Sequence, residues 1–225
     1  MVAQRYPGLE RVDAVETSTR ERILLEASYL FSRWGYHGTT TRAIATAVGV
    51  RQPSLYSHFS SKQAIMETLL ALNLDRAVSF AMAMSERSGS PAARLYQVLK
   101  ADLDYVTSVP YDLSGTQGED IMSDPNFSRG ASQQRKLHDA WRRIVEQGIR
   151  QGQFVPYDTG LIQQVIEGVF KEMIRTTARR PAERDGGSAD AVARFMVRAI
   201  LVNPSDIERI VAEADQLDRD EKLVY

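Results

Sequence analysis

The stretch from Thr40 to Phe59 constrains this chain more than any other. Ile44, Ala45 and Val48 recur at helical spacing, Thr41 stands where a helix cap is needed, and Gly49 supplies the backbone freedom of a sharp turn. A second short helix is expected from Arg51 to His58. Leu55 and Phe59, four residues apart, face inward in it, which leaves Gln52, Pro53, Ser54, Tyr56 and His58 facing outward. Two short helices joined by a tight turn, the second presenting polar and aromatic side chains, fit the major groove of DNA.

The flanking segments are helical throughout. Ser18 with Glu21 forms a capping box, and Ile23, Leu24, Ala27, Leu30, Phe31 and Trp34 trace a stripe that ends near Gly35, placing Phe31 and Trp34 in the core. Ser60-Ser61-Lys62 opens a longer helix, whose apolar positions Ile65, Met66, Leu69, Leu70, Leu72 and Leu74 continue toward Met84. Its length suits a connecting strut. Ser88-Gly89-Ser90-Pro91 ends it, with Pro91 at the first position of a helix running to Val109.

Pro110 to Gly130 is irregular, with a short helix expected around Glu119 to Met122. As a surface segment it either covers a cavity or, the simpler expectation, connects two elements. Leu137, Trp141, Ile144, Val145 and Ile149 share one helical face, closed by the turn from Gly152 to Pro156. Asp158 to Arg179 is the most apolar helix, its band from Leu161 to Ile174 wider than one packing face requires. Ser188 to Val202 repeats that pattern after a polar break from Pro181 to Gly187, and such a pair is suited to dimerisation. Ser205 with Glu208 caps a short acidic helix carrying Ile207, Ile210, Val211, Ala214 and Leu217. With no strand pattern and no long repeat, the fold class is all-α.

Composition removes several functions. The chain has no cysteine, which excludes disulfides, thiolate metal sites and cysteine nucleophiles, and its three histidines lie far apart. No apolar run approaches a bilayer span, so no membrane role is expected. Met1 to Thr17 reads as a loose arm without an export signal, which makes a cytoplasmic location the default. With 28 bases against 29 acids the chain is close to neutral, but Ser18 to Thr68 holds six bases and three acids. A modestly positive head on a neutral body is compatible with phosphate binding, because that binding depends on local charge.

The span Thr19 to Leu70 resembles the DNA-binding head of the TetR (tetracycline-repressor-like) regulators. The run Ser54-Leu55-Tyr56-Ser57-His58-Phe59-Ser60-Ser61-Lys62 looks like that family's reading helix and the start of its fourth helix, with Gly35, Thr40 and Ile44-Ala45 at the expected distance upstream. The resemblance covers about a quarter of the chain and implies a three-helix helix-turn-helix head on a larger helical regulatory body. The organisation expected is an arm at 1–17, a DNA-binding domain at 18–66 and a ligand-binding and dimerisation domain at 67–225.

Carried over residue by residue, Thr41 would bond a phosphate and Arg42 would reach a base edge or the backbone. Gln52 would pair with adenine and Pro53 press on a thymine methyl, while Ser54, Tyr56 and His58 would hold phosphates or flanking bases. Lys62 would add charge toward phosphate, and Arg51 is a backbone or base contact. The family's plan pairs the last two long helices across a two-fold axis, through Val165, Val169, Met173, Phe195, Met196 and Ile200.

The partners implied are a near-palindromic DNA operator, a second copy of the chain and a small-molecule effector. An effector pocket would lie among the helices carrying Tyr105, Trp141, Phe154 and Phe170, whose aromatics would wall an apolar cavity, although aromatics at helical spacing are more often plain core. Two rivals come from other classes. A helical enzyme using Asp102, Glu119, Asp120 and Asp124 lacks the Glu-x-x-His spacing of a metal bundle and any phosphate-cradling glycine loop, so no catalytic residue, metal or cofactor is expected. A helical dimeric scaffold that does not bind DNA is disfavoured by the outward polar residues from Gln52 to His58.

Overall fold

The computed structural model describes residues 17–179 and 187–219. Nearly all of the expected N-terminal arm, and the polar break at 181–186, lie outside the described residues. The described helices are α1 (Thr19–Gly38), α2 (Thr41–Val48), α3 (Gln52–Tyr56), α4 (Lys62–Glu86), α5 (Pro91–Ser108), α6 (Glu119–Met122), α7 (Ser128–Arg150), α8 (Thr159–Arg179), α9 (Gly187–Ile200) and α10 (Ile207–Arg219). Among the described residues the only β pairing is a single antiparallel bridge between Phe154 and Leu201. The chain packs as two compact units, one of Met1–Asp75, Ser108–Ser132 and Lys171–Arg184, the other of Arg76–Thr107, Gln133–Phe170 and Asp185–Tyr225.

In the first unit, α1 starts on the expected capping box, the Ser18 amide donating to Glu21 Oε2 at 2.9 Å and the Glu21 amide to Ser18 Oγ at 3.2 Å. Its buried stripe is Ile23, Leu24, Ala27, Leu30 and Phe31. Trp34, expected in that stripe, is 54% exposed. The reason is local, because Gly35 adopts φ 73° and breaks the helix directly after Trp34, turning the next residue inward in its place. Half-buried Tyr36 packs at the edge of the core instead, its ring 5.5 Å from Phe31 and 5.1 Å, edge-on, from Phe127.

The α2 cap also differs by one residue from expectation. Thr40 is the N-cap, its side chain accepting from the Ala43 amide at 3.1 Å, which frees Thr41 for another use. Gly49 closes α2 in the left-handed region at φ 79°, as a turn this tight requires. Ile44, Ala45, Val48, Leu55 and Phe59 are all buried, but α3 is shorter than expected and ends at Tyr56.

The segment expected to be irregular between Pro110 and Gly130 does hold the short helix α6, flanked by 3-10 turns at Leu113–Thr116 and Pro125–Phe127. It is not a mere connection. Leu113, Ile121 and Phe127 are buried, the Asp112 amide donates to Ser28 Oγ at 3.1 Å, and buried Asn73 donates to Thr116 Oγ1 at 3.1 Å. Gly115 lies so close to α1 that a Cβ there would meet the backbone of Phe31 and Ser32 at 2.8 Å. This segment is one wall of the head's core.

In the second unit α5 is the central helix, with every residue from Pro91 to Leu99 buried. Arg94 is almost wholly inside, its two terminal nitrogens donating to the carbonyls of Met84 and Ser85 and to Gln147 Oε1 on α7, while its Nε has no partner within the protein. Tyr96 donates to Asp190, which also accepts from Arg194, and Arg194 reaches Glu208, so α5, α9 and α10 share one polar chain. A 3-10 turn at Pro204–Asp206, capped by Asn203 and not Ser205, precedes α10. The bridge beside Phe154 is supported by the Val155 amide donating to Ile200 O at 2.8 Å.

Candidate nucleic-acid interface

The candidate reading surface is built on α2 and α3, and its shape follows from what is buried beneath it. Leu55 is fully buried and Phe59 nearly so, which fixes the rotation of α3 and leaves Gln52, Pro53, Tyr56 and His58 exposed, with Ser54 half-exposed. Arg42 at the start of α2 and Arg51 at the N-cap of α3 are exposed cations at the two helix mouths. No acidic residue occupies the first turn of either helix, so both N-terminal dipole ends are left for an external anion.

Three expected contact residues are joined to one another. Gln52 Nε2 donates to Thr41 Oγ1 at 3.0 Å, and the Tyr56 hydroxyl lies 3.4 Å from the same oxygen. Hydrogen bonding to Thr41, and then to Gln52, holds the Tyr56 phenol below its ordinary pKa. The triad ties α2 to both ends of α3 and sets Gln52 in one orientation before any base arrives, which is preorganisation at low entropic cost.

Lys62 is engaged within the head. Expected to point at phosphate, its ammonium instead donates to the carbonyls of Tyr36 and Thr39 at 2.7 and 2.8 Å and sits 4.1 Å from the centre of the Tyr36 ring. Partial burial lowers its pKa. These carbonyls bracket the α1–α2 turn, so Lys62 is a positioning residue that pins that turn to the start of α4.

Two further basic residues belong to the same framework and had no local signal in the sequence. Arg22 donates to Val48 O at 2.5 Å, closing the C-terminus of α2 onto α1 across 26 residues, and Arg20 lies 4.6 Å over the Phe59 ring. Only a folded head brings these pairs together.

Known proteins decide what this head is. Residues 23–69 match the family model for bacterial regulatory proteins of the tetR family. KstR2 of Mycobacterium tuberculosis, a helix-turn-helix transcriptional repressor, is 27% identical over 161 residues, 70% of this chain and 80% of that protein. The crystal structure of AmtR from Mycobacterium smegmatis aligns over 91% of this chain and 97% of its own at TM-score 0.69 and 25% identity. PfmR of Thermus thermophilus aligns over 81% and 97% at TM-score 0.64 and 29% identity. The chain belongs to the tetR family. It is a DNA-binding transcriptional regulator, with an N-terminal tetR head and a helical body.

The body of this tetR-family regulator carries the other expected sites. Of the six residues expected at a two-fold interface, Val165 and Phe195 are exposed at 55% and 71%, and Val169 and Met173 are half-exposed. Met196 and Ile200 are buried within their own unit, so the outward face of α9 is turned by one residue and offers Phe195 and Ala199, with Val202 just beyond the helix. On α8 the apolar positions left outside in this unit are Leu161, Val165 and Val169.

The four aromatics expected around an effector have different immediate neighbours. Trp141 and Phe170 stack at 5.6 Å, Tyr105 lies under Arg76 at 4.8 Å, and the Phe154 ring fills the space over Gly148, two turns along α7 from Trp141. Of the carboxylates weighed for an enzyme, Asp102 is buried on α5, whereas Glu119 and Asp120 are exposed and Asp124 caps the turn at Asn126. Among the described residues no three His, Asp or Glu side chains form a metal-binding group, and no helix is long and apolar enough to cross a membrane.

Proposed function

We propose that the regulator is a homodimeric repressor that reads a near-palindromic operator with its two α3 helices and leaves it when a small molecule binds the body. The observation that carries this is the division of α2–α3 into a buried apolar side and an outer side of Arg42, Arg51, Gln52, Pro53, Ser54, Tyr56 and His58. Arg42 and Gln52 are assigned to base edges, arginine favouring guanine and glutamine adenine. Thr41, Ser54, Tyr56 and His58 are assigned to phosphates and flanking bases, with Arg51 at the backbone or a base and Pro53 against a thymine methyl.

The outward stripe of Leu161, Val165, Phe195 and Val202 supports the dimer, since four large apolar side chains more than half exposed on one unit are costly to leave in water. The domain assignment follows the same division of labour, with DNA binding at 18–66 and ligand binding and dimerisation at 67–225. The effector site is assigned to the Trp141–Phe170 stack and Tyr105.

The test is selection of bound duplexes from a random pool, followed by gel shifts with the wild type and Phe195→Glu. The expected result is an enriched sequence with two-fold symmetry and half-sites about one helical turn apart. Phe195→Glu is expected to give monomers and to lose most affinity for that duplex. Enrichment of asymmetric sequences, or full affinity from a monomeric variant, overturns the dimeric repressor.

A further inference from the structure

Glutamine reads adenine bidentately only when both sides of its amide are available, the oxygen accepting from N6 and the nitrogen donating to N7. In this head the nitrogen side is committed before any base arrives. Gln52 Nε2 donates to Thr41 Oγ1 at 3.0 Å, joining the start of α3 to the start of α2. The Tyr56 hydroxyl stands 3.4 Å from the same oxygen, so two hydroxyls cluster where the amide nitrogen points. Gln52 is also, after Thr41, a hydrogen-bonding cause of the lowered pKa of the Tyr56 phenol, which sets the donor side of the amide toward that hydroxyl as well.

The remaining groups can be counted. An amide side chain carries two hydrogens on nitrogen and two lone pairs on oxygen. With its nitrogen facing Thr41 and Tyr56, Gln52 is left with Oε1, which no described residue engages. Gln52 is exposed at the first position of α3, and recognition helices reach base edges with their N-terminal residues. The hydroxyls leave one group as well. Whichever of Thr41 and Tyr56 donates to the other, one hydroxyl hydrogen stays unused, and a phosphate oxygen suits it.

We infer that Gln52 reads its base pair through Oε1 alone, as an acceptor, and so selects a base with an exocyclic amine in the major groove, adenine N6 or cytosine N4, over guanine or thymine. The inference rests on the operator reading given above and changes what Gln52 selects from adenine to the amino bases. Guanine O6 and thymine O4 are acceptors, so either would bring two acceptors face to face in a dehydrated contact. Thr41 and Tyr56 are positioning residues for this choice, besides any phosphate contact of their own, because they decide which side of the amide meets the base.

The experiment uses the full chain and the duplex selected from the random pool. Competition gel shifts compare the four base pairs at each position of one half-site, repeated symmetrically in the other, for wild type and Gln52→Ala. The position read by Gln52 is the one at which alanine levels all four pairs to within about threefold. Wild type is expected to bind adenine and cytosine there within about threefold of each other, and both at least about tenfold more tightly than guanine or thymine. Thr41→Val removes the oxygen that holds the amide nitrogen and leaves the Thr40 cap in place. It frees the amide for bidentate pairing and is expected to raise adenine over cytosine by about tenfold. Each ratio is taken within one variant, so a uniform loss of stability or of phosphate contact cancels from it. If the valine variant does not fold, the wild-type pattern alone decides.

Adenine about tenfold above cytosine in the wild type means a free amide and overturns the inference. A preference for guanine or thymine, which puts the nitrogen outward, overturns it too, as does an alanine variant that changes no position. An unchanged ratio in Thr41→Val overturns the hold of Thr41 on the amide. All of these leave the dimeric repressor standing, since a symmetric duplex was still selected. A pool that yields no symmetric duplex overturns both.

Discussion

Replacing Asp102 by asparagine isolates one titration from every other in the protein. The side chain keeps its shape and stays neutral at all pH values. Burial pushes the Asp102 carboxyl from 3.8 up to about 7, the attraction of Arg76 being too weak to hold it down. The unfolded chain ionises this group near pH 4 and the folded chain only near 7. Between those values the folded state binds the extra proton, so the contribution of Asp102 to stability falls as pH rises through that window and is level above it.

A rise from 3.8 to about 7 corresponds to about 4 kcal/mol at 1.36 kcal/mol per unit. For a chain of 225 residues that amounts to about 10 °C in melting temperature. The assay is thermal unfolding of wild type and Asp102→Asn from pH 4 to pH 8, followed by helical circular dichroism at fixed salt and protein concentration, since dimerisation makes melting concentration-dependent. The two proteins are expected to melt together near pH 4, and the variant is expected to gain steadily until it leads by about 10 °C at pH 8. All other titrating groups are common to both, so the change in the gap belongs to Asp102. A gap that is the same at pH 4 and pH 8 refutes the argument, because it means the carboxyl is paired or hydrated in the folded protein.

Two smaller perturbations test the head. Lys62→Ala removes both bonds to the α1–α2 turn and is expected to destabilise the protein by about 1–3 kcal/mol and to weaken every duplex alike. With its ammonium engaged by two carbonyls, Lys62 is expected to make no phosphate contact, so the slope of log affinity against log salt should stay unchanged, whereas a loss of about one unit of slope would return it to the DNA backbone. Gly115→Ala drives a Cβ into the α1 backbone at 2.8 Å and is expected to cost about 1–3 kcal/mol in denaturant unfolding. An unchanged midpoint shows that the segment does not press on α1.

The helices were legible because their signals are local. The capping box at Ser18, the left-handed Gly49, Pro91 opening α5 and the short α6 within Pro110 to Gly130 are each written within a few residues, and each stands where those residues put it. Trp34 failed for a related reason. Its spacing continues the α1 stripe, but a stripe carries inward only while the helix stays regular, and Gly35 kinks the helix at that point. The weight of Gly35 as a breaker outranks the period, and Tyr36, with no place in the pattern, packs half-buried against Phe127.

The site was legible in membership more than in role. Leu55 and Phe59 fix which side of α3 faces out, so the exposed set from Arg51 to His58 follows from periodicity alone. What each polar side chain does depends on partners 11 to 26 residues away in the chain: Gln52 on Thr41, Arg22 on Val48, Lys62 on Tyr36 and Thr39. No local pattern encodes those pairs, and they decide the electrostatics. Of the bases in the head, Arg22 and Lys62 spend their charge on backbone carbonyls, while Arg42 and Arg51 remain outward. Counting bases therefore overstates the charge this head can offer to phosphate, and the salt dependence of binding should reflect the outward arginines and the two helix mouths, not the six bases of the sequence.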